Sequence, residues 1–394
     1  MSDSNSVLTR IPVEIWMRIL LDVMHIPYLL DTTCLGSLFE LWNAIDAPNA
    51  HCNRSEWQRN LLRRVCKSWK HFAETNAYKS IDSRDSLKEP HILAHARRAL
   101  LCGSLRHMFT IPTLWEVVEI ANSEVVDEFL VSIVQGYHPR LRHLSVPTNL
   151  FSVLAACGSA AFRQLTFLRL RFFHTAGPHT TTVIQTTLPR LEVLIWEDFV
   201  VGVAPSGIFR LPNLHHFGWS NEHSFPLSTF LSYASTLRSL SIRNVFWSGD
   251  RVVFPDLNEF PHLEELSINV PFEIKDPKPL PPTYPLHTIY LTYFHPYTML
   301  VPCVMQILDC NPVRLGRIKS PIVNWGHGRE LENAWGREDA AQIVQLANMC
   351  HGRGIRIEDS KGQVRSEILP MVKLSDLAIW RIGMRLVSSM LTKR

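Results

Sequence analysis

The chain has 394 residues, 46% of them hydrophobic and 19% charged, with 25 prolines and a formal net charge of +4. That length allows one large domain or two to three ordinary ones, and the composition excludes a disordered chain. So small a net charge, with no dense Lys/Arg block and no zinc-finger or RNA-binding motif, argues against a nucleic-acid partner.

The opening residues, Met1 to Ser6, are polar and unlike a secretory signal, and no segment offers the ~18 uncharged apolar residues of a membrane span. Eight scattered cysteines form no Cys-x-x-Cys pair, which suggests reduced thiols and a cytoplasmic or nuclear protein. The first predicted helix starts at Pro12, whose missing N–H costs nothing in a first turn. Ile15, Ile19 and Val23 form one stripe on it, and Trp16, Leu20 and Met24 a second, giving a face too wide for one small partner helix. A second helix follows, with Ser55 and Gln58 as a capping box and Trp57, Leu61, Val65, Trp69 and Phe72 or Ala73 at helical spacing. Its opposite side carries Arg59, Arg63, Arg64, Lys67 and Lys70.

Apolar stripes of this kind also occur in two ordinary core helices, and spacing alone does not separate the cases. The residue types are more specific. Ile11, Pro12, Glu14, Ile15, Ile19 and Leu20, joined to Val65, Cys66 and Trp69, resemble an F-box, whose pattern is a proline-glutamate helix start, an Ile-Leu pair one turn on, and Arg-x-Val-Cys-x-x-Trp. The resemblance implies that these nine residues bind a Skp-type adaptor of a cullin-RING ubiquitin ligase. It departs from the family between Pro27 and Arg54, where an insertion separates two motifs that usually lie within about fifty residues.

From residue 136 the chain repeats a Leu-x-x-Leu-x-Leu unit. The copies are Leu141-Leu144-Val146, Leu165-Leu168-Leu170, Leu191-Leu194-Trp196, Leu214-Phe217-Trp219, Leu237-Leu240-Ile242, Leu263-Leu266-Ile268 and Leu286-Ile289-Leu291. Their anchors advance by 23 to 26 residues, within the roughly 20 to 29 of a leucine-rich repeat. Weaker copies are expected at Leu105 to Met108, at Leu315 to Ile318 and at Ile355 to Ile357. Helical candidates lie between strands, at Leu150 to Cys157, Leu227 to Leu231, Val301 to Leu308 and Ala340 to Met349. The expected fold class is therefore α/β: an N-terminal helical F-box followed by a leucine-rich-repeat solenoid, a parallel sheet with helices on the convex side. A β-sandwich or a βα fold with a flat sheet is the alternative. The asparagine usual after the third apolar position occurs only as Asn149; Phe173, Phe199, Glu222, Val245, Pro271 and Phe294 stand elsewhere. Proline-rich Pro277 to Pro285 reads as a surface excursion between two repeats.

The expected organisation is an F-box region over 1–77 with its insertion at about 27–54, a connecting segment over 78–135, the solenoid over 136–359, and a C-terminal helix within 360–394 that caps the last repeat. Residues alternating with the buried ones are expected on an exposed concave face. Phe167, Val193 and Ile195 beside Arg169 and Arg171 suit a protein target, with His216, Arg243 and Tyr290 on the same face. The alternative is that a loop or the C-terminal segment covers this patch. No hydrolase, phosphate-loop, zinc-protease or dinucleotide motif is present, and His262 with Glu264, His215 with His216, and Cys303 with Cys310 read as strand or core residues rather than ligands. Neither catalytic residue nor cofactor nor metal is expected. The whole chain resembles the F-box proteins with irregular leucine-rich repeats abundant in fungi. That resemblance implies a substrate-recognition subunit of a Skp-cullin-F-box ligase, and the competing reading is a leucine-rich interaction protein with no ligase role.

Overall fold

The computed structural model describes residues 12, 14–16, 18–19, 61–76, 79–82, 96–101, 116–120, 135, 140–146, 162–172, 186–198, 209–221, 231–244, 252–254, 256–268, 272–274, 277–291, 300–319, 346 and 349–358. Among the described residues, twelve strands form one parallel sheet. They are β1 (Lys79–Asp82), β2 (Ala96–Leu101), β3 (Val117–Ile120), β4 (His143–Val146), β5 (Phe167–Phe172), β7 (Val193–Asp198), β9 (His216–Asn221), β10 (Ser239–Asn244), β12 (Glu265–Ile268), β14 (Thr288–Leu291), β15 (Arg317–Lys319) and β16 (Arg356–Glu358). Each pairs with the next in chain order, which is the topology of a solenoid and leaves no place for an antiparallel sandwich.

Register follows from the repeat. Leu144, Leu168, Leu194, Phe217, Leu240, Leu266, Ile289, Ile318 and Ile357 stand opposite one another along the sheet. With side chains alternating faces, that alignment puts all seven predicted triplets into one core, and every one of their residues is buried. The solenoid also starts earlier than the sequence suggested: β1, β2 and β3 belong to the sheet, so 78–135 is not merely a connector. The expected copies near Leu315 and Ile355 supply β15 and β16, whereas Leu105 to Met108 lies outside the described residues.

A hydrogen-bonded turn precedes most anchors. Leu165, Leu191, Leu214, Leu263 and Leu315 donate their N–H to the carbonyls of Phe162, Leu188, Leu211, Phe260 and Pro312, three residues back. Pro189, Pro212 and Pro261 occupy the second turn position, where a fixed φ suits the bend, and the apolar first residue of each turn is buried. The working repeat is therefore longer than the leucine triplet: an apolar residue, often a proline, one more residue, then the anchor.

Among the described residues, short returning segments line the core's other wall. Here β6 (Thr186–Thr187) pairs with β8 (Phe209–Arg210), and β11 (Val252–Phe254) with β13 (Phe272–Ile274), both parallel. A helix, Leu300–Asp309, packs on β13, where the Ile274 N–H donates to the Gln306 amide oxygen and Cys303 lies against Phe272. It ends at Asn311, whose φ of 54° is the left-handed cap that asparagine tolerates, followed by Pro312. The proline stretch is only partly a surface excursion. Pro277, Pro279, Pro281 and Pro282 are exposed, but Leu280 and Tyr284 are buried pegs, and the Tyr284 hydroxyl donates to the Leu257 carbonyl at 2.8 Å. Among the described residues no helix is long and apolar enough to cross a membrane. Asn149 and its counterparts in the other repeats, the insertion at 27–54, the helix candidate at Leu150 to Cys157 and the C-terminal helix lie outside the described residues.

Candidate functional site

Two surfaces were singled out by the sequence. At the first, Glu14, Ile15, Trp16, Arg18 and Ile19 are helical, and the Ile15 and Trp16 N–H groups donate to the Pro12 carbonyl, which opens the helix at the proline as expected. Residues 61–65 are helical, Cys66 interrupts the run, and a helix Lys67–Asn76 follows, with the Lys70 N–H donating to the Cys66 carbonyl. The second predicted helix is thus two segments meeting at the cysteine. Trp16 and Trp69 bring the two motifs together, their ring centroids 5.9 Å apart. Leu62 and Phe72 are buried, yet Ile15 (51%), Ile19 (41%), Leu61 (42%) and Val65 (58%) keep a large part of their surface in water. Pro12, Glu14 and Cys66 are exposed too, and Trp69 is half-buried; Ile11 and Leu20 lie outside the described residues.

The second surface differs from expectation. Phe167, Arg169, Val193, Ile195 and Tyr290 are buried rather than exposed, while Arg171, His216 and Arg243 are half-buried. These five side chains are therefore interior rather than an open contact patch. Within it, Phe167 stacks on His143 at 3.9 Å, and His143 Nε2 lies 3.6 Å from Glu119. Arg169 grips Glu197 on the neighbouring strand with two charge-assisted hydrogen bonds, Nε to Oε2 at 3.0 Å and Nη2 to Oε1 at 2.8 Å. Arg171 donates to the Ile120 carbonyl. Further along, Ser239 and Tyr290 donate to Glu265, and the Lys319 ammonium stands 5.4 Å from the Tyr290 ring centre. The alternation rule identified which side chains share this face, but their burial depends on packing that strand periodicity does not encode.

Buried charge chemistry on this face has a pH signature. Burial, reinforced by His215 and Arg238, lowers the His216 pKa to about 4, so the ring is neutral at pH 7. An unfolded chain binds that proton near the ordinary 6.5, so between pH 6.5 and 4 it holds more protons than the folded one and stability falls as pH falls. The loss reaches about 2 kcal/mol at pH 5. Urea midpoints at pH 5 and 7.5 should therefore differ less for His216→Gln than for the parent; equal differences would rule this residue out as the cause. Cys310 and Cys350, raised to about 11 by burial, stay protonated thiols and are poor nucleophiles at pH 7. Among the described residues no three His, Cys, Asp or Glu side chains gather as a metal site.

No protein-family model matches the chain, and no curated protein matches it either.

Proposed function

We propose that this protein is a substrate-recognition subunit of a Skp-cullin-F-box ubiquitin ligase, acting in the cytoplasm or nucleus, with its N-terminal helices as the adaptor-binding F-box and its solenoid as an irregular leucine-rich repeat. The observation that carries the reading is the exposure of Ile15, Ile19, Leu61 and Val65 on helices joined through Trp16 and Trp69. Helices that merely capped the solenoid would be expected to bury those side chains, whereas a helix-in-groove partner needs them free. Ubiquitin transfer would belong to partner subunits, and the chain itself would be no enzyme. The protein target would be held by the solenoid.

The test is a pull-down of the full chain with purified Skp-type adaptor, beside Ile15→Asp with Ile19→Asp. Both side chains already face water, so the double variant should keep its circular dichroism and lose binding by at least about a hundredfold, two desolvated charges costing well over 3 kcal/mol. A well-folded parent that captures no adaptor would instead support a leucine-rich interaction protein with no ligase role.

A further inference from the structure

We infer that the strand-entry edge of β4, β5 and β7 is a docking site for an acidic segment of another protein. Where the chain turns into each of these strands, the turn carries an arginine: Arg140 and Arg142 at β4, Arg163 at β5, Arg190 at β7, with Arg210 on the adjoining β8. The fold places them side by side. The Thr166 N–H donates to the Arg142 carbonyl and the Glu192 N–H to the Thr166 carbonyl, so the turn positions climb the sheet one strand at a time. The Arg190 guanidinium reaches the Gln164 amide oxygen across one strand, and the Asn213 amide reaches the Pro189 carbonyl across the next. At about 4.8 Å per strand, arginines two strands apart are about 10 Å apart, the span of a short extended peptide.

All five arginines are exposed, and among the described residues none of them is in an ion pair. Among the described residues, the carboxylates on the same edge are those of Glu116 and Glu192, both half-buried and each with interactions of its own. The described residues of this edge thus set five exposed guanidinium groups against two half-buried carboxylates, an excess of positive charge that an anionic ligand complements. Guanidinium groups suit carboxylates bidentately. Among the described residues, the neighbours Gln164, Thr166, Pro189 and Asn213 offer amide, hydroxyl and proline groups rather than aromatic rings for a nucleobase to stack on, which favours an acidic peptide over single-stranded nucleic acid.

The site does not depend on the ligase reading. Fluorescence anisotropy of the full chain with a labelled synthetic Asp/Glu-rich peptide tests it, beside the Asn/Gln version of that peptide and a single-stranded RNA. Binding to the acidic peptide alone is expected, weakening as salt is raised. Arg140→Ser, Arg163→Ser and Arg190→Ser together should weaken it about tenfold with an unchanged melting temperature. Two controls separate the alternatives. Removing three exposed charges elsewhere, by Arg64→Ser, Arg314→Ser and Arg356→Ser, should leave binding intact, as should Ile15→Asp with Ile19→Asp. An equal loss from the remote triple would reduce the effect to net charge, and absent peptide binding or tighter RNA binding would overturn the assignment.

Discussion

Arg169→Met is expected to lower the unfolding free energy by about 3 to 5 kcal/mol. Both members of the pair with Glu197 are buried, and the guanidinium meets the carboxylate through two hydrogen bonds of 3.0 and 2.8 Å. Methionine keeps much of the stem volume but takes away the positive charge, leaving Glu197 without its bidentate partner in a dry setting. Desolvating a carboxylate is costly in such a place, so removing one partner does more damage than the pair contributes net. The matching double change, Arg169→Met with Glu197→Met, should recover most of the loss, because neither charge is then buried. Urea denaturation of the parent, both single variants and the double closes the cycle. Additive losses in the double would mean that the two residues do not act on each other.

The second large effect is expected at Trp196, whose truncation to alanine should cost about 3 to 5 kcal/mol. The residue fills the third repeat's last core position, stands in register between Leu170 and Trp219, and meets Phe209 edge-on with ring centroids 6.3 Å apart. It is among the largest fully buried side chains. In a solenoid each repeat leans only on its neighbours, so a hole in the middle weakens the coupling between the two halves as well as the local packing. A lower urea midpoint accompanied by a smaller denaturant slope would report that uncoupling. Val253→Ala and Val313→Ala remove apolar groups that are largely in water and should change stability by less than about 0.5 kcal/mol. A Trp196→Ala variant no less stable than those two would show that this column is not a packed core.

How far the fold could be read ahead of the structure differs by element. The leucine triplets were readable because a strand alternates faces with a strict period of two, so apolar residues at the first, fourth and sixth positions commit one face to a core. The turn ahead of each anchor was only half readable: its prolines were visible, but the burial of Phe162, Leu188, Leu211 and Phe260 becomes apparent only when those residues close the core from the far side. β1 and β2 were not legible because Lys79-Ser80-Ile81-Asp82 and Ala96-Arg97-Arg98-Ala99-Leu100-Leu101 lack the leucine triplet, and β1, only four residues long, owes its existence to the neighbour it pairs with. At the N terminus the residue types marked a surface, and the structure adds that Ile15 and Val65 stay in water.

By itself the sequence determined the period of the array, the composition of its core and the register in which its strands stack, since all three follow from local alternation and repeat length. Only the tertiary structure decided what faces water. Whether Phe167 or Ile195 is a contact surface or an interior residue, and whether Arg169 meets a partner or a solvent shell, depends on what lies across the sheet from it. Burial is a property of two surfaces meeting, and a pattern of period two describes only one of them.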